Sequence, residues 1–279
     1  MLVYLNGSYI PHEDAMVPVD DRGFLFADGV YEVARVYGGK PYLLDEHLAR
    51  LAAGLDALRI ELRNLDAIAE AAGRLVREND VGDDGTIYIQ VTRGVAPRKH
   101  AFPPRGTEPT VYVVAKPFRN HPDEWFEDGV AAITFPDTRW ARCDIKSIAL
   151  LPNVLANEAA HAAGAFEALF VRDGVVIEGS HSNLWGVRDG ALVTYPACNY
   201  ILAGITRDRI FGLAAELGVP AAEGMIHLDE LDRFDELFLS GTTTEVMPIV
   251  RVDGREVVDG EPGPITRKLL KAYRDALPR

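Results

Sequence analysis

The string Cys143-Asp144-Ile145-Lys146-Ser147-Ile148-Ala149-Leu150-Leu151 holds a single lysine among apolar side chains, with Asp144 the only other charge in it. Desolvation disfavours the ammonium in such a setting, lowers its pKa and leaves a neutral amine able to attack a carbonyl or aldehyde. A strand-end lysine that snorkels its head to water satisfies the same string. Glu178 closes the strand pattern Val175-Val176-Ile177, just before Gly179-Ser180-His181-Ser182-Asn183. A carboxylate there can pair with a protonated ring nitrogen, although a glutamate in a hairpin turn is usually a solvated surface residue.

Two further segments carry the composition of anion sites. Gly204-Ile205-Thr206 precedes a helical pattern with Ile210, Leu213, Ala214 and Leu217 apolar and Gly218 as terminator, so Thr206 is expected to cap a helix whose N–H groups can bind an anion. Ser240-Gly241-Thr242-Thr243-Thr244 follows the strand Leu237 to Leu239 and offers four hydroxyls and a permissive glycine, as an anion-binding nest requires. Capping alone explains either segment singly; together they point to a phosphate-bearing ligand. Arg98 and His100, in Pro97-Arg98-Lys99-His100-Ala101-Phe102-Pro103, can trap a carboxylate through a guanidinium fork and an imidazole, or form a solvated basic loop.

Other chemistries lose ground. No GxGxxG follows a strand and no GxxxxGK[ST] occurs, so the commonest dinucleotide and nucleotide-triphosphate cradles are absent. The seven histidines never approach within five residues of one another, no HExxH exists, and Cys143 and Cys198 lie in neither a CxxC nor a metal spacing. The cysteines are expected to be reduced and structural.

These residues need a frame. Asn6-Gly7 between Leu2–Tyr4 and Ser8–Ile10 predicts an opening hairpin, and Gly38-Gly39 joins Val30–Tyr37 to Lys40–Leu44 as a second. Asp45 is expected to cap a helix carrying Leu48, Leu51, Ala52 and Leu55, and a further helix covers Leu65–Glu78. Thr86–Arg93 and Thr110–Lys116 read as strands. Pro117 to Asp123 has linker composition, so a first domain is expected over residues 1–119 and a second over 120–279. The second half reads as strands at Val130–Phe135, Ala168–Arg172, Val175–Glu178, Leu184–Val187, Leu192–Tyr195 and Glu236–Leu239, with helices near Leu155–Ala163, Arg207–Leu217 and Ile265–Leu277. Strands follow one another mostly through short turns, which predicts an α+β class and disfavours a doubly wound parallel sheet.

The 279 residues, 48% hydrophobic and 25% charged, suit one large or two modest globular domains. Twenty-nine basic against 42 acidic residues give a net charge of −13, a field that repels phosphate backbones and anionic membranes. Nucleic acid is not an expected partner. The longest charge-free run, Gly190 to Thr206, contains Pro196 and Asn199 and is too short for a spanning helix, so no membrane segment is expected. No basic start or apolar h-region follows Met1, so no secretory signal is expected and the cytoplasm is the expected compartment.

Taken in order, these segments resemble the fold-type IV pyridoxal phosphate enzymes, and more narrowly the D-amino-acid transaminases. The resemblance is carried by Arg22-Gly23-Phe24-Leu25-Phe26-Ala27-Asp28-Gly29-Val30-Tyr31-Glu32-Val33, by Val91-Thr92-Arg93-Gly94 leading to Pro97-Arg98-Lys99-His100, and by Arg139-Trp140-Ala141-Arg142-Cys143-Asp144-Ile145-Lys146-Ser147. It continues through Glu178-Gly179-Ser180 with Ser182-Asn183 and Leu202-Ala203-Gly204-Ile205-Thr206-Arg207-Asp208. It implies a small α/β domain and a larger, mixed β-barrel-like domain with flanking helices, arranged as a homodimer. It implies that Lys146 forms a Schiff base with pyridoxal 5'-phosphate and shuttles the α-proton, and that Glu178 keeps the pyridine nitrogen protonated. Arg50, Ile205, Thr206 and Thr242 bind the phosphate by the same resemblance, Leu202 packs on the ring, and Tyr31, Arg98 and His100 hold the substrate carboxylate. Gly241 departs from the hydroxyl residue common at its position, so a backbone N–H replaces one side-chain phosphate contact there.

The activity implied is transfer of an amino group from D-alanine, D-glutamate or D-aspartate to a 2-oxo acid such as 2-oxoglutarate or pyruvate. Branched-chain L-aminotransferases, for which Arg35 speaks, and aminodeoxychorismate lyases look similar around the lysine, and an (R)-amine transaminase is a further variant that weakens the carboxylate trap. A non-catalytic phosphate-ligand binder is disfavoured, since binding alone needs neither Lys146 nor Glu178.

Overall fold

A computed structural model of the chain describes residues 1–278. Its packing divides them into two compact units, Met1–Asn120 with Ile145–Ala149, and His121–Asp144 with Leu150–Leu277.

The first unit is built from β1 (Leu2–Leu5), β2 (Ser8–Pro11), α1 (Arg22–Phe26), β3 (Gly29–Tyr37), β4 (Lys40–Tyr42), α2 (Leu44–Leu58), α3 (Asp66–Glu78), β5 (Asp84–Thr92) and β6 (Thr110–Pro117). Its six strands form an antiparallel sheet in the order β2-β1-β6-β5-β3-β4. Asn6 and Gly7 both take positive φ, the requirement of a two-residue turn that matches strand twist. Helices α2 and α3 cover the sheet through Leu48, Leu51, Leu55, Ile68, Ala72 and Leu75, which pack with Val36, Ile87, Ile89 and Val113. Each such large side chain stabilises the fold by about 1.5–3 kcal/mol on burial.

Lys146 lies in this first unit, although residues 120–279 were expected to carry it. Backbone pairing is the cause: Ser147 bridges to Val30, Tyr31 N donates to the Lys146 carbonyl and Ile148 N to the Gly29 carbonyl. Ile145 adds its side chain to the first unit's core.

Two expected caps differ. Helix α2 starts at Leu44 behind Leu43, whose φ is +52°, so Asp45 falls in the first turn and not at the cap. The helix expected at Arg207 begins at Ile205 with Gly204 at its N-cap, which puts Thr206 inside the first turn.

The second unit comprises α4 (Asp123–Glu127), β7 (Val130–Pro136), α5 (Leu151–Ala162), β8 (Glu167–Arg172), β9 (Val175–Gly179), β10 (Asn183–Arg188), β11 (Ala191–Thr194), α6 (Ile205–Glu216), β12 (Ala221–Glu223), β13 (Ile226–His227), β14 (Glu236–Gly241), β15 (Glu245–Val252), β16 (Arg255–Glu256) and α7 (Pro264–Asp275). Ten strands form a mixed sheet ordered β12-β11-β10-β14-β15-β7-β8-β9-β13, with β16 on β15. Strand β7 runs parallel to both β8 and β15, whereas β8–β9, β10–β11, β10–β14 and β14–β15 are antiparallel. An α+β class with short-turn connections is what these ladders constitute. Among the described residues no helix is long and apolar enough to cross a membrane.

Candidate active site

In the first unit, Glu32 has the strand parity of Val30, Ala34 and Val36, so it points into the core beneath α2. Its side chain is fully buried and accepts from Arg50 Nε at 2.7 Å, Arg50 Nη2 at 2.8 Å and His47 Nδ1 at 2.7 Å. Burial alone raises a carboxyl's pKa, but the Arg50 and His47 hydrogen bonds outweigh it and hold Glu32 at about 2. Burial pushes the His47 imidazole below its ordinary value, against the pull of Glu32. Arg50 is thus a guanidinium whose fork is locked onto Glu32.

Lys146 is half-buried, with Nζ 4.4 Å from the centroid of the Tyr31 ring. Tyr31 stacks on Tyr88, centroids 5.9 Å apart. Burial, with the nearby Tyr31 and Tyr112 adding, pushes the Tyr88 hydroxyl up to about 12, so it stays neutral. Arg98 and His100 are exposed, and both lie against Phe26: Arg98 Cζ is 5.2 Å and the His100 ring 5.5 Å from its centroid. Arg35 is buried, bonded to Asp84 and Asn120 at 2.8 Å and flanked by the Tyr37 and Phe118 rings, the surroundings of a structural cation.

In the second unit, Glu178 is not a solvated hairpin residue. It lies within β9, buried, opposite Phe170 of β8. Its Oε1 accepts from Arg139 Nη1 at 2.6 Å, and its Oε2 from Asn183 Nδ2 and Leu202 N, both at 3.2 Å. Desolvation dominates and pushes the carboxyl up to about 7, with the Arg139 charge the chief opposing influence. Arg139 is shared with Asp137, whose carboxylate also takes Arg172 at 2.8 Å. Burial would raise Asp137, yet these arginines hold it below the usual range.

Asn183, outside the expected site, ties the second unit's pieces together. It pairs with Ser240 across β10 and β14, and its Nδ2 donates to Glu178 and to the Leu202 carbonyl. A side chain on Gly204 would collide with its Oδ1, which explains the glycine before Ile205. The first turn of α6, with Ile205 and buried Thr206, has no side-chain cap. Gly241 ends β14 and opens the turn containing Thr242; a Cβ there would sit 3.2 Å from Thr244 Oγ1. Glu178, Leu202, Ile205 and Thr206, and the Gly241–Thr242 turn therefore share one scaffold through Asn183. Glu32 and His47 were also missed in sequence, although the parity of a carboxylate among buried valines was a usable signal.

The amino-transferase class IV family matches residues 29–252. A D-alanine aminotransferase of Staphylococcus epidermidis is 42% identical over 272 residues, 97% of this chain and 96% of that one. A branched-chain amino acid aminotransferase from Escherichia coli superposes with a TM-score of 0.90 at 29% identity, over 99% of this chain and 93% of the other. The 4-amino-4-deoxychorismate lyase of Pseudomonas aeruginosa gives 0.86 at 30% identity, over 99% of both chains.

Proposed function

The chain belongs to the class IV aminotransferase family, and from that membership we propose that it is a pyridoxal 5'-phosphate-dependent aminotransferase of D-amino acids. Its donors are D-alanine, D-glutamate and D-aspartate, and its acceptors 2-oxo acids such as 2-oxoglutarate or pyruvate. The observation that carries the choice of donor is the 42% identity to a D-alanine aminotransferase over nearly the whole chain, against 29% to a branched-chain enzyme of the same fold.

The side chains present fit the cofactor. A buried carboxyl fixed by Arg139, Asn183 and Leu202 N suits a protonated ring nitrogen, and the uncapped start of α6 suits a phosphate. Thr244 Oγ1, buried beside Gly241 without a hydrogen-bond partner among the described residues, shows polar capacity left over at that turn. When bound, the cofactor supplies an aldehyde for the amine and a ring that takes up the electron pair left by the α-proton. Lys146 is the amine that anchors it and moves that proton. Glu178 holds a proton at the ring nitrogen. Arg50, Ile205, Thr206, Gly241 and Thr242 bind the phosphate, and Leu202 packs on the ring. Tyr31, Arg98 and His100 hold the substrate carboxylate, whose position decides which enantiomer presents its α-hydrogen to the lysine.

The enzyme works as a homodimer in the cytoplasm. Exposed Met16, Val19 and Phe24 support an apolar contact, and the two free thiols of Cys143 and Cys198 support a reducing compartment. The test is kinetic: with 2-oxoglutarate as acceptor, D-alanine is turned over and L-leucine much more slowly. A preference for L-leucine would replace the D-amino-acid assignment by the branched-chain one.

A further inference from the structure

Arg98 and His100 stand on an exposed loop without regular secondary structure, yet a buried charged cluster grips it. Arg22 and Arg93, both nearly inaccessible, converge on Asp28: Arg22 Nε donates to Oδ2 at 2.7 Å, Arg93 Nε to Oδ2 at 2.7 Å and Arg93 Nη2 to Oδ1 at 2.9 Å. Burial would raise Asp28, but the hydrogen bonds from Arg93 and Arg22 prevail and keep it ionised. Both arginines then reach outward. Arg22 Nη1 donates to the carbonyls of Lys99 at 2.7 Å and Ala101 at 3.4 Å, the two residues that bracket His100. Arg93 Cζ lies 3.8 Å from the centroid of Phe102, and Arg59 covers the same ring at 4.7 Å. Arg22 also lies 4.8 Å from the centroid of Phe26, the ring that Arg98 and His100 touch.

A charge cluster this well satisfied is not needed for a core, since apolar packing does that without desolvating ions. Here it fixes loop backbone instead. We propose that Arg22 is a positioning residue of the substrate site: through Asp28 and the carbonyls flanking His100 it sets where Arg98 and His100 present their donors to a substrate carboxylate. The inference rests on the carboxylate role given above to Arg98 and His100.

The probes are D-alanine and propionate, a monocarboxylate without an amine, used with the holoenzyme. Arg22→Gln raises the KM for D-alanine and the Ki for propionate together, about tenfold each, the equivalent of about 1.4 kcal/mol, while kcat changes by less than about threefold. Arg22→Lys, which keeps the charge but not the fork, recovers part of the loss. Should Arg22→Gln fail to fold, Phe102→Leu releases the loop with the ion cluster intact and raises both constants in the same direction. Arg98→Ala separates the two ideas. If it raises both constants while a folded Arg22→Gln raises neither, the positioning role alone is overturned. If it raises neither, the carboxylate is held elsewhere, and the assigned substrate site falls together with the inference.

Discussion

Two buried glutamates, Glu32 and Glu178, are pushed in opposite directions by their surroundings. Glu32 meets a bidentate guanidinium and an imidazole and stays ionised down to about 2, whereas Glu178 has one strong cationic contact and is pushed up to about 7. Each direction predicts a result. On the role proposed for Glu178, replacing its carboxyl by a cation in Glu178→Lys abolishes or severely cuts transamination; unchanged single-turnover rates with D-alanine would show that Glu178 has no part in the chemistry. Glu32 has a folded pKa below its unfolded one, so its contribution is fully present above the unfolded value and is lost as pH falls toward the folded value. Its loss between about pH 5 and pH 2 is worth about 3 kcal/mol on that linkage. Urea denaturation across that range should therefore show a shallower acid-side decline for Glu32→Gln than for the native chain, and equal slopes would remove Glu32 as a source of acid sensitivity. Lys146 stood out in the sequence by its apolar neighbours, but Glu32 did not, because its pairing with α2 is made by residues 15 and 18 positions away.

Elements with local causes were legible before the structure. The Asn6-Gly7 and Gly38-Gly39 turns lie where they were expected, and the heptad-like spacing of Leu48, Leu51 and Leu55 marks α2. Helices α1 and α4, five residues each, are too short to display a period and were not expected. The pairing of Lys146–Ile148 with the start of β3 was also hidden, since more than a hundred residues separate the partners and no turn chemistry announces it. Helix α2 holds Arg50 in place, so its core face matters to the site. Leu51, 1% exposed, follows Arg50 directly, and Leu51→Ala should destabilise the protein by about 2–5 kcal/mol in urea melts. A loss under about 1 kcal/mol would mean that α2 is not anchored through this face. Gly94 shows the same dependence just ahead of the Arg98–His100 loop: its φ is +88° and a Cβ would collide with the Glu108 carbonyl. Gly94→Ala should lower the melting temperature, and a higher one would show that the turn tolerates a side chain there.

For the whole molecule, a net charge of −13 on each chain sets self-association against electrostatic repulsion. Two copies repel at long range, so any stable pairing must come from apolar area at short range. Met16, Val19 and Phe24 are 80%, 71% and 77% exposed, an arrangement that leaves large side chains in water unless a second copy covers them. Burying one phenylalanine is worth about 1.5–3 kcal/mol, and a two-fold interface gains it twice. Salt screens the repulsion, with a Debye length of about 10 Å at 0.1 M, but leaves the apolar term in place. Sedimentation of the native chain should accordingly show a dimer that tightens between low and moderate ionic strength. Phe24→Asp adds a charge to each copy and removes the apolar contact, so it should sediment as a monomer at concentrations where the native chain is paired. A native chain that dissociates as salt is added, or a Phe24→Asp variant that remains a dimer, would move the contact away from this surface and make ion pairs its basis.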